Sequence, residues 1–180
     1  MPITGTDWEM HIVRKSEQKR GARHRTVGTY KVFHGGVAVA GLSGTVAETR
    51  GPGDNSKANN KRRIEAGRYP LSTQAGTNYV TIGFTASLNR AALPRPGLDL
   101  NHTGHRTEIL IHPGRGFLSS VGCINPCTSL PDTDENIEFK GSRTRVIALI
   151  EDQKSFLGDL FPSRNGKKIP KAFVVIDGEP

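Results

Sequence analysis

Cysteine is nearly absent from this chain: its 180 residues include only two, Cys123 and Cys127. Two thiols so close in sequence cannot staple a small fold, so stability has to come from a packed core. Apolar residues make up 34% and aromatics 6%, too few for a bundle of amphipathic helices. No apolar run reaches the roughly 18 to 20 residues that a membrane-spanning helix needs. The opening residues, MPITGTDWEMHIVRK, contain no apolar segment of the secretory-signal kind. Gly51-Pro52-Gly53 leads to no Gly-Lys-Ser/Thr, so these glycines do not read as a phosphate-binding loop. There is no internal repeat and no linker dividing two domains.

What the chain has in quantity is glycine, proline and positive charge. With 21 glycines and 11 prolines, a mainly β (α+β) fold with many turns is expected. The length suits one domain with its own core. A net charge of +8 makes an anionic partner plausible: nucleic acid, an acidic wall polymer or a membrane surface. Charge that serves solubility alone is the equal alternative.

Residues 1–26 read as a basic, loosely structured N-terminal segment, with a short strand at Met10–Val13. The tract Arg14–Arg25 offers little to bury, so a solvated loop is expected there rather than a nucleic-acid arm. Residues 27–180 read as a single domain. Alternation marks a strand over Val27–His34, His34-Gly35-Gly36 a hairpin turn, and Val37–Leu42 a return strand that Gly44–Thr49 extends past a bulge. Ile64–Ser72 and Tyr79–Phe84 are further strands, and Leu88–His105 is a long connection placed as a flap over the site. Ser142 is placed as the cap of one long C-terminal helix that runs toward Leu160, because Val146, Leu149, Ile150, Gln153, Phe156 and Leu157 recur at three- and four-residue steps. Ala172–Ile176 reads as a last buried strand.

The stretch with chemical content is TEILIHPGRGFLSSVGCINPC, Thr107 to Cys127. Ile109-Leu110-Ile111 reads as a short buried strand that ends at His112, where Pro113-Gly114 turns the chain. A small-residue loop then returns to Gly122-Cys123-Ile124. Thiol and imidazole are thereby delivered to two strand ends by a short loop. A thiolate is the nucleophilic form of cysteine, and a histidine within reach is the usual means of generating it. Gly122 permits a backbone shape that aims nearby amides at one point. A cysteine acyl-transfer site is the reading that follows. Zinc is the rival, drawing on His102, His105, His112, Cys123 and Cys127, but their spacing lacks a matching second pair of ligands.

This block resembles the catalytic motif of L,D-transpeptidases with the YkuD-type domain. That motif has a strand ending in histidine, a loop, Ser/Thr-His-Gly-Cys, a hydrophobic residue, and Arg or Asn. Ser120, Gly122, Cys123, Ile124 and Asn125 match it, as does His112 upstream. Val121 stands at the motif's second histidine, and the loop from His112 to Cys123 is short for the family. A weaker match lies in IEAGRYPLS, Ile64 to Ser72. The resemblance implies a YkuD-like β-sandwich or mixed sheet and no metal or organic cofactor. It implies a Cys123 nucleophile, a His112 base oriented by the carbonyl of Ser120, and an oxyanion site at the Cys123 and Gly122 amides. Asn125, Ser119, Arg115 and Tyr69 are the corresponding candidates for substrate binding. The implied substrate is the peptidoglycan tetrapeptide stem, and the implied reaction is L,D-transpeptidation or L,D-carboxypeptidation. Small domains of this layout include type VI secretion effectors, which implies delivery into a target periplasm and a cognate immunity protein. Without a signal segment, export by such a route is the expectation, and a cytoplasmic location is the expectation if the wall reading fails. Val121 favours the alternative of a non-catalytic wall- or nucleic-acid-binding β domain.

Overall fold

The computed structural model describes residues 2–180. Ten strands and one long helix follow one another in the chain. They are β1 (Trp8–Arg20), β2 (Arg23–His34), β3 (Val37–Glu48), β4 (Gly67–Thr73), β5 (Tyr79–Val80), β6 (Arg95–Pro96), β7 (Leu98–Leu100), β8 (Leu110–Ile111), β9 (Asn125–Cys127), α1 (Phe139–Leu157) and β10 (Lys168–Asp177). Eight strands form one sheet in the order β8-β7-β4-β10-β1-β2-β3-β9. Neighbours are antiparallel except β1 and β10, so the fold is mainly β with a mixed sheet and one C-terminal helix.

The sheet's two ends meet. Ile111, on the edge strand β8, bridges Ile124, the residue just before the opposite edge strand β9. The His112 amide donates to the Ile124 carbonyl at 3.1 Å, and the Ile124 amide to the Leu110 carbonyl at 2.8 Å. The sheet is thereby wrapped around its own core. Trp8, Met10 and Ile12 alternate inward from β1 and meet Ala172, Val174 and Ile176 from β10. Val146, Leu149 and Ile150 of α1 join the same core, with Ile111 and Ile124 at the closure.

The basic N-terminal segment is the main correction. Residues 8–20 and 23–34 are two long paired strands, and the tract expected to be a solvated loop is the outer end of that hairpin, largely exposed but anchored by buried Arg14 and Arg25. Its arginines are ordered by partners inside the protein. Arg14 is fully buried and makes a bidentate pair with Glu48, both bonds 2.8 Å, and it also donates to the Ile64 carbonyl. Arg25 is buried as well, with donors to Gln18 and to the carbonyls of Phe117, Asp132 and Glu135. Buried charge is tolerated only when it is paired in this way, and a residue-by-residue hydropathy reading does not see partners 34 to 110 residues away.

Smaller corrections have local causes. Helix α1 starts at Phe139, because Glu138 is the cap and accepts from the amides of Lys140 and Gly141. Ser142 lies one turn inside, where its hydroxyl bonds the Pro126 carbonyl and accepts from the Gly114 amide at 2.8 Å. The helix ends at Leu157, and Gly158–Leu160 continues as a 3-10 turn. The strand expected at Tyr79–Phe84 stops after Val80, since the Ile82 amide turns to the Asn165 side chain and Gly83 takes φ +81°. The connection Leu88–His105 is not a free flap, because β7 within it pairs with β4 and β8.

Removing the Arg14 guanidinium leaves Glu48 buried without a partner. Arg14→Ala should lower the unfolding free energy by about 3–5 kcal/mol. Exposed Lys15→Ala should change it by less than about 0.5 kcal/mol. Urea denaturation monitored at Trp8 measures both, and equal effects would show the buried pair to be dispensable.

Candidate active site

The closing bridge sets the positions of both reactive side chains. Ile109, Leu110 and Ile111 are buried, as an apolar run beside β7 requires, and His112 follows them directly. Cys123 precedes Ile124, the other half of the bridge. Between them the loop is held by its own bonds. Gly116 and Ile137 exchange backbone hydrogen bonds of 3.0 and 2.7 Å, and the Ser119 hydroxyl accepts from the Arg115 amide at 2.7 Å. Gly122 sits at φ +146°, where a Cβ would come within 2.0 Å of Arg106 Nη2. Only glycine allows the Arg106 guanidinium to lie against the backbone one residue before the thiol.

His112 and Cys123 line one cavity of about 290 Å³, together with Gln74, Tyr79, Glu108 and Leu110. Cys123 and Glu108 also line a second cavity of about 180 Å³, on the side of Arg106 and Val121. The imidazole is buried, and its Nδ1 lies 2.9 Å from the Pro113 carbonyl. A carbonyl only accepts, so Nδ1 carries the proton and Nε2 keeps its lone pair. The Tyr79 ring packs against the imidazole with centroids 4.5 Å apart. Cys123 Sγ accepts from the Leu110 amide at 3.3 Å and contacts the Glu108 carbonyl at 3.5 Å. Among the described residues no hydrogen bond joins Sγ to His112.

The electrostatics keep both groups neutral. Burial pushes the His112 pKa down to about 4, against a raising effect from the Pro113 carbonyl, and the Arg95 charge lowers it further. Burial raises the Cys123 thiol, which the Leu110 amide, Arg106 and Ser120 partly oppose. At rest the pair is a thiol and a free imidazole base, not a thiolate–imidazolium pair. Nearby Asp99 is raised to about 6 by burial and by the Glu108 charge. Cys127 is buried and raised to about 12 by burial, a packing residue without reactivity.

The other residues expected at the site have different places in the structure. Ser120 is present, but it organises the turn: its hydroxyl donates to the Cys123 carbonyl at 2.7 Å and accepts from the Gly122 amide at 3.0 Å. The carbonyl that orients the imidazole is that of Pro113, which corrects the role expected of Ser120. The Gly122 amide is committed to Ser120, so of the two oxyanion donors expected only the Cys123 amide has no partner among the described residues. Asn125 is fully buried and donates to the His112 carbonyl at 3.0 Å, which makes it a positioning residue, not a substrate contact. Arg115 and Ser119 lie outside the Cys123 cavity, in a neighbouring groove. Tyr69 is in the core, its hydroxyl donating to the Glu65 carbonyl at 2.7 Å, and does not reach the site. Among the described residues no three His, Cys, Asp or Glu side chains converge as metal ligands.

Tyr79, Glu108 and Arg106 join the site without a mark in the local sequence pattern. That pattern makes Tyr79 a strand residue, and its place against His112 follows from β5 pairing with β6. Glu108, at φ +55°, directly precedes the Ile109–Ile111 run, but nothing local marks a non-glycine residue for the left-handed region.

The His112 environment makes a linked prediction. Between pH 6.5 and about 4 the unfolded chain binds a proton that folded His112 refuses, so stability falls as pH drops through that window. The shift corresponds to about 3 kcal/mol. His112→Gln, neutral at every pH, should lose less stability than the wild type by that amount between pH 6.5 and 4 in chemical denaturation. Identical pH profiles would show that the imidazole is not buried as a neutral base. The thiol carries its own signature: alkylation of Cys123 by iodoacetamide should keep accelerating up to and beyond pH 9, the ordinary thiol value, and a plateau below pH 8 would reveal a thiolate at rest.

Comparison of the chain with protein-family models, with curated proteins and with solved structures finds no match.

Proposed function

We propose that this protein is a cysteine acyltransferase acting on peptidoglycan tetrapeptide stems, as an L,D-transpeptidase or L,D-carboxypeptidase. The observation that carries the proposal is the cavity lined by both Cys123 and His112, with the imidazole proton held on Nδ1 by the Pro113 carbonyl. The matching residues Ser120, Gly122, Cys123, Ile124 and Asn125 supply the substrate class.

In the first step the thiol sulfur attacks the carbonyl on the L-centre side of an L,D peptide bond. A C–S bond forms while the thiol proton passes to His112 Nε2. Because the thiol is neutral at rest, proton transfer accompanies attack and does not precede it. The carbonyl oxygen becomes an oxyanion, facing the Cys123 amide. Collapse breaks the C–N bond, and His112 returns the proton to the departing D-alanine nitrogen. A thioester on Cys123 remains. An acceptor amine then attacks it to give a cross-link, or water attacks to give the shortened stem, with His112 taking a proton from either. Asn125 and Pro113 keep the ring in one orientation throughout.

Cys123→Ala should abolish release of D-alanine from tetrapeptide muropeptides, with the melting temperature unchanged. A β-lactam or other acylating probe should leave its adduct on the peptide containing Cys123, read by mass spectrometry. Full activity in Cys123→Ala, or an adduct confined to Cys127, would remove the nucleophile assignment. Binding of muropeptides without turnover or adduct would support the non-catalytic reading, which Val121 at the motif's second histidine favours.

A further inference from the structure

Beyond Tyr79 lies a larger groove, about 510 Å³. Four arginines line it, Arg23, Arg90, Arg95 and Arg115, along with Phe117 and Ser119, and no acidic residue does. Elsewhere Arg14, Arg63 and Arg68 have carboxylate partners in Glu48, Glu179 and Asp7, and Arg25, Arg106 and Arg145 are bonded to carbonyl, amide or hydroxyl oxygens. None of the groove's four guanidinium groups has a carboxylate partner among the described residues. Arg23 donates to the Leu118 carbonyl at 3.1 Å, and Arg95 to the Arg90 carbonyl and the Tyr79 hydroxyl, both at 3.0 Å. The guanidinium groups of Arg90 and Arg115 make no hydrogen bond among the described residues. Four like charges around one concavity repel one another, and bound anions would reverse the sign of that energy.

Two observations narrow the ligand. The groove adjoins the reactive cavity, since Tyr79 lines both and its ring rests on His112. Two backbone amides of the lining are already engaged: the Arg115 amide bonds Ser119, and the Gly116 amide bonds the Ile137 carbonyl. The planar guanidinium forks match carboxylates or phosphates two bonds at a time, and a peptide donor held at the adjoining cavity brings carboxylates.

We propose that this groove is an anion subsite that holds the side-chain carboxylates of an acidic peptide donor while its scissile bond lies at Cys123. The proposal rests on the acyltransferase reading. The subsite also bears on the chemistry. Arg95 contributes to the depressed basicity of His112, so carboxylates seated beside Arg95 offset that charge. The imidazole becomes a better base when an acidic donor is bound.

The test uses the full chain carrying Cys123→Ala, which binds without turning over. Two synthetic tetrapeptides are compared by calorimetry, one with free side-chain carboxylates and one with those groups amidated. The acidic peptide should bind at least about tenfold more tightly, a difference of about 1.4 kcal/mol. Adding Arg90→Gln and Arg115→Gln should abolish that preference without altering the melting temperature. On binding, the NMR-detected titration of His112 should move upward from about 4. Equal binding of the two peptides, or a preference that survives the double change, would overturn the proposal. Displacement of the peptide by tripolyphosphate at lower concentration than by citrate would assign the groove to phosphate and overturn it equally. Failure of the acyltransferase reading has a different signature: carboxylate-dependent binding would persist while the wild type forms no Cys123 adduct.

Discussion

One backbone contact organises this molecule. The bridge between Ile111 and Ile124 joins the two end strands of an eight-stranded sheet, and the residues flanking it are His112 and Cys123. The hydrogen bonds that close the sheet are therefore the same ones that set the spacing of thiol and imidazole. Both sides of the bridge are apolar and buried, so register is specified by the core: a slip of one residue would turn Ile111 or Ile124 out of it. Reactive groups next to a contact of this kind are held without any need for a long ordered loop.

The surroundings of the pair are polar in a directed way. Asn125 holds the His112 carbonyl, Pro113 fixes the tautomer, and Ser142 reaches from the helix to tie Gly114 to Pro126. Arg106 fills the space that a side chain at position 122 would occupy. These contacts orient but do not ionise the site, because burial outweighs the favourable amide and guanidinium neighbours of Cys123. A neutral thiol beside a neutral imidazole suits a reaction in which substrate binding precedes proton transfer. Neutrality also slows oxidation of the thiol, since oxidants react with thiolate.

The chain's charge is divided between two uses. Arg14, Arg25 and Arg63 are interior struts, each fully or nearly fully buried and bonded to several oxygen partners. Arg23, Arg90, Arg95 and Arg115 face a shared groove without acidic partners. The net charge of +8 is thus not a uniform basic coat, and the basic tract Arg14–Arg25 is a strand hairpin that sends Arg14 and Arg25 into the interior.

Local pattern alone determined a good deal: the Val27–Glu48 hairpin with its turn at Gly35-Gly36, the helix across Val146–Leu157, the final strand, and the prominence of His112, Gly122 and Cys123. These features depend on residues near one another in sequence, where periodicity and turn chemistry act directly. Tertiary structure decided the rest. Arg14 became a strand residue because Glu48 and the Ile64 carbonyl meet it in space, and Tyr69 went to the core because its hydroxyl found Glu65 and Asn55. Tyr79 reached His112 through the pairing of two short strands, and Asn125 was turned inward to a backbone carbonyl. Burial and ionisation are set by distant partners, and a linear pattern holds no record of which partners will arrive.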